Sequence, residues 1–494
     1  MQAVIVIHGM GEQVPMETIN QFVGAVWTTD QSLVNRSKLD PNTGVSREKG
    51  PVEAASWYKP DDVNRSYELK RITTEQNQPN EGFKPQRTDF YEYYWAHHIS
   101  GMTLKNVLQW LKYLLFRPLS RVPKDVRLTW WVLWIFVISA AFLTIFFSLP
   151  LEPDPAVPPV GKAALGLLGS LALMIAGGFL TGKVISHFGD VVRYVSPKPE
   201  NIDARQKIRQ GGVSLLEEIL RKQHRGKTRY DRVIVVAHSL GTIVAYDILT
   251  QAFANMHRDY NAVKEGAVAE PQRAELEKMS RTKNFNVDDY QELQTRLQAE
   301  MREQGHMWRV SDFITLGSPL THAEFLLEKD MESVERAQEM RIFPTCPPKL
   351  EYDLKTKSRR FSFSGSSSDK ESPFNRFIKA ENLEQTEAAA DPNSPAYLHH
   401  AALFASTRWT NLFSPSRFIL WGDQVSGPLA PVFGKGIRDI QVMPGLDAAG
   451  KPIDGAKPTF LAHVKYWSFG KVKQKGSVPH HIETLRRVMK LGGG

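Results

Sequence analysis

Five residues, Ala237-His238-Ser239-Leu240-Gly241, stand between two apolar runs of different period. "RVIVVA", Arg232 to Ala237, is short, continuous and rich in valine, the pattern of a strand buried on both faces of a parallel sheet. "GTIVAYDILTQAFA" then sets Ile243, Val244, Tyr246, Ile248 and Leu249 on a helix. A strand that turns this tightly into a helix forces its corner residue into strained backbone angles, and the residues two before and two after must be small. Ala237 and Gly241 are small. Such a turn lifts the Ser239 hydroxyl clear of the sheet edge and aims the Leu240 backbone N–H at the place where an oxyanion would develop. The chemistry that suits this arrangement is attack on an acyl carbonyl. Near neutral pH it also requires a general base and a carboxylate to orient that base.

The stretch resembles the nucleophile elbow of the α/β-hydrolase superfamily, in its lipase and esterase branch, with Ala237 in place of the first glycine of G-x-S-x-G. A second stretch, "AVIVIHGMGEQ", carries the same resemblance. It is another buried strand, and His8-Gly9 at its end is similar to the family's oxyanion loop, in which the residue after H-G, here Met10, supplies the second backbone N–H. The resemblance covers most of residues 1–11, 203–320 and 408–467. It implies an α/β fold with a mostly parallel sheet flanked by helices, and a triad in the chain order serine, acid, histidine. The acid should end a strand that follows another strand after the elbow. Arg309 to Leu316 reads as the first of these and "SRFILWGDQVSGPL" as the second, so Asp423 is the expected acid, with Asp439 and Asp447 in reserve.

Chain order removes His257, His306, His322, His399 and His400 as the base. His463, in "TFLAHVKYW", lies about 40 residues beyond Asp423, where the resemblance implies the last strand-loop and its catalytic histidine. The competing pair, His480 and His481, falls at a helix start after Pro479, where capping or surface exposure is the plain reading. Adjacent histidines recur at His97-His98, His399-His400 and His480-His481, but neighbours on a strand point to opposite faces and none has the i, i+4 spacing of a helical zinc site. No metal or other cofactor is expected.

The elements that must position these residues are spread along the chain. The first strand and oxyanion loop (Val4 to Gly11) are followed by a helix near Met16 to Trp27, a polar excursion, and "TDFYEYYWAHHI", which reads as a strand. "DARQKIRQGGVSLLEEILRK" is an amphipathic helix leading to the elbow strand. After the elbow helix, "DDYQELQTRLQAEMREQ" reads as a charged helix with little apolar face, solvated on all sides. Between Thr321 and Ser406 lies a long insertion with the basic, then serine-rich, stretch "KTKSRRFSFSGSSSDKESP", either a lid or a disordered surface loop.

Two uncharged segments interrupt this order. Leu128 to Leu149 and Ala163 to Gly182 are each long enough for a helix to cross a hydrocarbon core of roughly 30 Å, and "PLEPDPAVPPVGK" between them is too short for a domain. They read as a transmembrane hairpin inserted into one catalytic domain. The domain parts are residues 1–127 and 184–494, with 128–183 as the hairpin. Arg117, Arg121, Lys124 and Arg127 precede the first span and Lys183, Arg193 and Lys198 follow the second, so both outer flanks belong on the cytoplasmic side. Trp130, Trp131 and Trp134 would sit near that interface. "MTLKNVLQWLKYLLFRPL" has the apolar spacing and lysines of a helix lying on an anionic membrane, though packing on the domain fits it as well. Met1 runs straight into an apolar β-branched run without a basic n-region or cleavage site, which again predicts an N-terminus in the cytosol.

The formal charge of +9 points to anionic partners. The basic residues flanking the spans place much of it against lipid phosphates, so anionic membrane lipids are the expected partner and nucleic acid is not needed. No zinc-finger spacing or RNA-binding signature argues otherwise. Cys346 is the only cysteine, so no intrachain disulfide can form, and "PTCPPK" is no setting for a nucleophile. Together these readings imply a membrane-anchored serine hydrolase acting on membrane lipids, a phospholipase or lipase. The alternatives are an esterase or thioesterase on small or protein-bound acyl groups and, from another class, a non-catalytic membrane scaffold with the same fold.

Overall fold

The computed structural model describes residues 1–9, 14–49, 52–64, 66–78, 81–82, 84–99, isolated positions between 116 and 138, residues 194–195, 199–263, 271–353, 358–363, 397–416, 422–443, 462–469 and 478–492. The chain divides into two compact units. One comprises Met1–Gly9, Gln13–Trp95 and Gln206–Gly494, and the other Met10–Glu12 and Ala96–Arg205.

The larger unit is built on an eight-stranded sheet. In chain order its strands are β1 (Gln2–Ile7), β2 (Ser56–Pro60), β3 (Lys70–Thr74), β4 (Thr88–Tyr93), β5 (Arg232–His238), β6 (Val310–Leu316), β7 (Arg408–Phe413) and β8 (Arg438–Gln441). Across the sheet they run β8-β7-β6-β5-β1-β4-β3-β2. All neighbours from β8 through β4 pair in parallel, while β3 is antiparallel to both β4 and β2. In register, Ile7 lies opposite both Ala237 and Tyr93, and Ala237 opposite Thr315, so the C-terminal ends of the central strands are level. Parallel strands need crossovers, and helices supply several: α1 (Glu17–Val23), α2 (Pro199–Arg221), α3 (Gly241–Val263), α4 (Pro271–Arg281), α5 (Val287–Glu303) and α6 (Met331–Glu339), with α7 (His480–Met489) after the last strand.

The adjacent strands β1 and β5 are apolar on both faces because both are covered. Val4, Val6, Ile234, Val236, Ile314 and Leu316 pack with Phe22, Trp27, Ile482 and Leu485 from the α1 and α7 side. The alternate residues Ile5, Val235 and Phe313 are buried too, and α3 lies against β1 and β5.

Two sequence expectations are corrected. The strand after β6 is Arg408–Phe413 rather than the "SRFILW" run, whose residues 417–421 lie outside the described set. Its interior is polar because side chains knit the neighbouring strands: Asn411 accepts from Thr315 at 3.0 Å and donates to Asp439 at 2.7 Å. The helix read as solvated, α5, is packed, burying Tyr290, Leu293, Leu297 and Met301. Its glutamines satisfy backbone carbonyls, Gln291 that of Trp409, Gln294 those of Phe404 and Thr407, and Gln298 that of Val310. Polar side chains here face the fold, since an unmet buried carbonyl is unfavourable.

Of the insertion between Thr321 and Ser406, the described parts are folded. They include α6, the antiparallel pair Glu351–Asp353 with Ser358–Arg360, and a fully buried Cys346. Residues 364–396, the core of the lid question, lie outside the described set. So do nearly all of the expected spans 128–149 and 163–182. Among the described residues no helix is long and apolar enough to cross a membrane. Within the first span Trp130, Trp131, Trp134, Ile135 and Ile138 are helical. Trp131, Ile135 and Ile138, at spacings of four and three, are exposed, and Trp130 meets Trp131 and Trp134 at ring-centroid distances of 5.0 and 6.0 Å.

Candidate active site

Ser239 follows β5 directly and precedes α3. Its φ is 53°, a left-handed value that L-residues avoid except where the surroundings compel it. Several contacts compel it here. The Ser239 N–H donates to the Leu316 carbonyl at 3.0 Å, the Thr242 N–H to the Ser239 carbonyl at 2.9 Å, and the Thr242 hydroxyl to that same carbonyl at 2.7 Å. Gly241 passes so close to β1 that a Cβ there would lie 2.2 Å from the His8 carbonyl oxygen. Ala237, two residues before the serine, is fully enclosed in the sheet.

Three side chains from different loops converge at this corner. The Ser239 Oγ lies 2.7 Å from His463 Nε2, and His463 Nδ1 lies 3.0 Å from both carboxylate oxygens of Asp423. Asp423 is held in the turn after β7 and His463 in a short 3-10 turn, Ala462–Val464, beyond β8. A carboxylate only accepts, so His463 Nδ1 carries the proton and Nε2 faces the serine as an acceptor. Asp423 is 1% exposed. Burial alone would raise its carboxyl, but the His463 charge and hydrogen bonds from His463, Ser426 and Tyr466 bring it down to about 2. It is thus ionised wherever His463 can serve as a base.

The other candidates fall elsewhere. Asp439 sits on β8 and accepts from the Leu429 and Ala430 N–H groups and from Asn411. Asp447 lies outside the described residues. His480 and His481 begin α7, and the buried His481 ring donates to the Ser468 carbonyl at 3.0 Å, a structural bond where the sequence predicts capping or surface exposure.

The loop that the resemblance makes an oxyanion loop is described at its two ends. His8 is buried, stacked on Trp95 at 5.0 Å, and its Nδ1 donates to the Gly9 carbonyl at 2.7 Å. A Cβ on Gly9 would come within 2.9 Å of Ser239 Cβ, so the loop abuts that serine. At the far end the Met16 N–H donates to Glu92 Oε2 at 2.8 Å, and burial pushes that carboxyl up to about 7. Met10 itself lies outside the described residues. Among the described residues the Leu240 N–H meets no protein acceptor.

Sequence reasoning missed four participants. His238 was read only as part of the elbow, yet its Nε2 donates to the His463 carbonyl at 2.7 Å, and burial holds its pKa down near 3, so the ring stays neutral. Gly317, at the end of β6 with φ +58°, leaves room for the site, because a Cβ there would lie 2.7 Å from the Tyr466 ring and 3.1 Å from Asp423. Ser318 bonds Thr242 at 2.8 Å, and Tyr466 donates to Asp423 Oδ2 at 2.7 Å. Only a glycine directly after an apolar strand, in "ITLGSP", was a visible signal. Among the described residues no three His, Cys, Asp or Glu side chains gather as metal ligands. No family model, no curated protein and no solved structure matches the chain.

Proposed function

We propose that the chain is a membrane-anchored serine hydrolase of α/β-hydrolase fold that cleaves acyl esters of membrane lipids. The observation that carries this reading is the Ser239–His463–Asp423 chain of contacts, 2.7 and 3.0 Å long, at the tip of a left-handed strand-to-helix turn. The sheet order supports the fold: the elbow strand lies beside β1 with the oxyanion loop, and acid and base follow the next strands in turn.

In the reaction, Ser239 Oγ bonds to the acyl carbon as its proton passes to His463 Nε2. The negative oxygen is met by the Leu240 N–H; a second donor is expected from Met10 on the resemblance alone. The ester C–O bond then breaks, and the departing alkoxide takes the proton from His463. Water gives a proton to the same nitrogen as its oxygen bonds to the acyl carbon; the bond from that carbon to Ser239 Oγ then breaks, Oγ takes the proton back from His463, and the fatty acid leaves. Asp423 stays ionised throughout and steadies the imidazolium.

The lipid assignment rests on the two apolar spans with basic outer flanks and on the exposed Trp131, Ile135 and Ile138. It puts both termini and the catalytic unit on the cytoplasmic side. The test is a fluorophosphonate probe together with ester turnover, using the full chain in detergent. Ser239→Ala is expected to abolish labelling and to lower turnover on the order of 10⁴-fold or more. Undiminished labelling would falsify the assignment.

A further inference from the structure

We propose that Tyr466 is a positioning residue of this site, a phenol that fixes the acid and tunes the base through it; the proposal rests on the serine-hydrolase reading above. Tyr466 lies three residues beyond His463, and its buried oxygen meets three groups. The Ser414 N–H donates to it at 3.0 Å, Ser426 Oγ lies 3.1 Å away, and Asp423 Oδ2 lies 2.7 Å away. A phenol has one hydrogen. The Ser414 N–H can only donate and the carboxylate can only accept, so the phenol hydrogen points to Asp423, with Ser426 Oγ beside the phenol oxygen. The direction of the bond is therefore set by the backbone of β7's end.

This arrangement separates the two carboxylate oxygens. Oδ1 takes the Val425 N–H at 2.9 Å, Oδ2 takes the phenol, and both remain 3.0 Å from His463 Nδ1. The carboxylate plane cannot rotate without breaking a bond on each side. Burial and the Asp423 charge raise the phenol well above its ordinary range, so it stays a donor at every working pH. The Gly317 backbone lies against the ring, close enough that a Cβ there would be 2.7 Å from it.

Removing the hydroxyl alone, with Tyr466→Phe, keeps the ring in its place. Two consequences follow. Orientation loosens, lowering kcat on a short soluble ester about tenfold with KM unchanged, the scale of one hydrogen bond to a charged group. In addition, the carboxylate loses a donor, its charge bears more fully on His463, and the acid limb of the kcat/KM profile moves to higher pH.

The experiment is a double-mutant cycle in the full chain, comparing Tyr466→Phe, Asp423→Asn and the pair with a fluorogenic butyrate ester. If the tyrosine acts through the acid, its substitution has no further effect once Asp423 is replaced. An equal fold-loss in both backgrounds, which a general folding defect produces, overturns the proposal. So does an unshifted pH profile. An active wild type indifferent to Tyr466→Phe overturns this proposal alone, whereas a wild type without Ser239-dependent turnover overturns the hydrolase reading and this proposal with it.

Discussion

One methyl group at Gly241 probes how the elbow is held. A Cβ there would lie 2.2 Å from the His8 carbonyl oxygen and 2.7 Å from that of Ile7. Non-bonded contacts prefer roughly 3.5 Å, so the end of β1 must withdraw by about 1 Å. Both obstacles are backbone, and no rotamer change relieves them. The same stretch of backbone leads into the proposed oxyanion loop, where a 1 Å misplacement would lower turnover about 100-fold. Forcing a methyl into packed interior also destabilises by about 1–3 kcal/mol. Gly241→Ala is therefore expected to lose about 100-fold in kcat on a p-nitrophenyl ester, with a lower urea midpoint. The control is Ala237→Gly, which only removes a methyl that the sheet already holds; it should keep activity within about tenfold and lose about 1 kcal/mol. A Gly241→Ala enzyme as active as wild type would refute the idea that the close approach of α3 to β1 sets the oxyanion geometry.

Stability should fall on acidification. Burial holds His257 and His481 down near 4, so both bind fewer protons folded than unfolded; their contribution is complete above the unfolded value of about 6.5 and is lost as pH falls toward 4. Each is worth up to about 3 kcal/mol over that window, and Glu92, raised to about 7, opposes them singly because its contribution is lost as pH rises. A melting temperature constant between pH 7 and pH 4.5 contradicts this account. Replacing residues 128–183 by a short flexible linker should preserve hydrolysis of a soluble ester while sharply reducing the rate on phospholipid bilayers, since surface charge alone is a weak, salt-screened attraction. Equal retention of both activities argues for a soluble acyl substrate.

The elbow was legible because everything that makes it is contiguous: a valine run, a serine between small residues, an amphipathic helix. His463 and Asp423 were legible only through the order that the resemblance implies. The strand Arg408–Phe413 was passed over for the more apolar "SRFILW" because its interior Thr410 and Asn411 look solvated, and Asn411 finds its partners on β6 and β8, far away in sequence. For the same reason the glutamines of α5 read as a wet surface. Tyr466 gave no local sign, since what it holds lies about 40 residues upstream. Periodicity reports burial well; it does not report which polar groups are buried with partners.

The pairing of β1 with β5 has a temporal consequence. Gln2 is matched with Thr88 on one side and with Arg232 on the other. At about 5–20 residues per second, the first partner emerges some seconds after β1 and the second roughly 10–50 seconds after it. Throughout that interval one edge of "AVIVI" stays open, with unpaired N–H and C=O groups that invite pairing with other chains. Both apolar segments, 128–149 and 163–182, are synthesised in the same interval. Ser239 and its strand thus join a sheet whose other half has already waited, and any delay while those segments leave the ribosome lengthens the exposure of its central strand. Yield in a cell should accordingly depend on how quickly residues 128–183 are handled, independently of how stable the folded chain is.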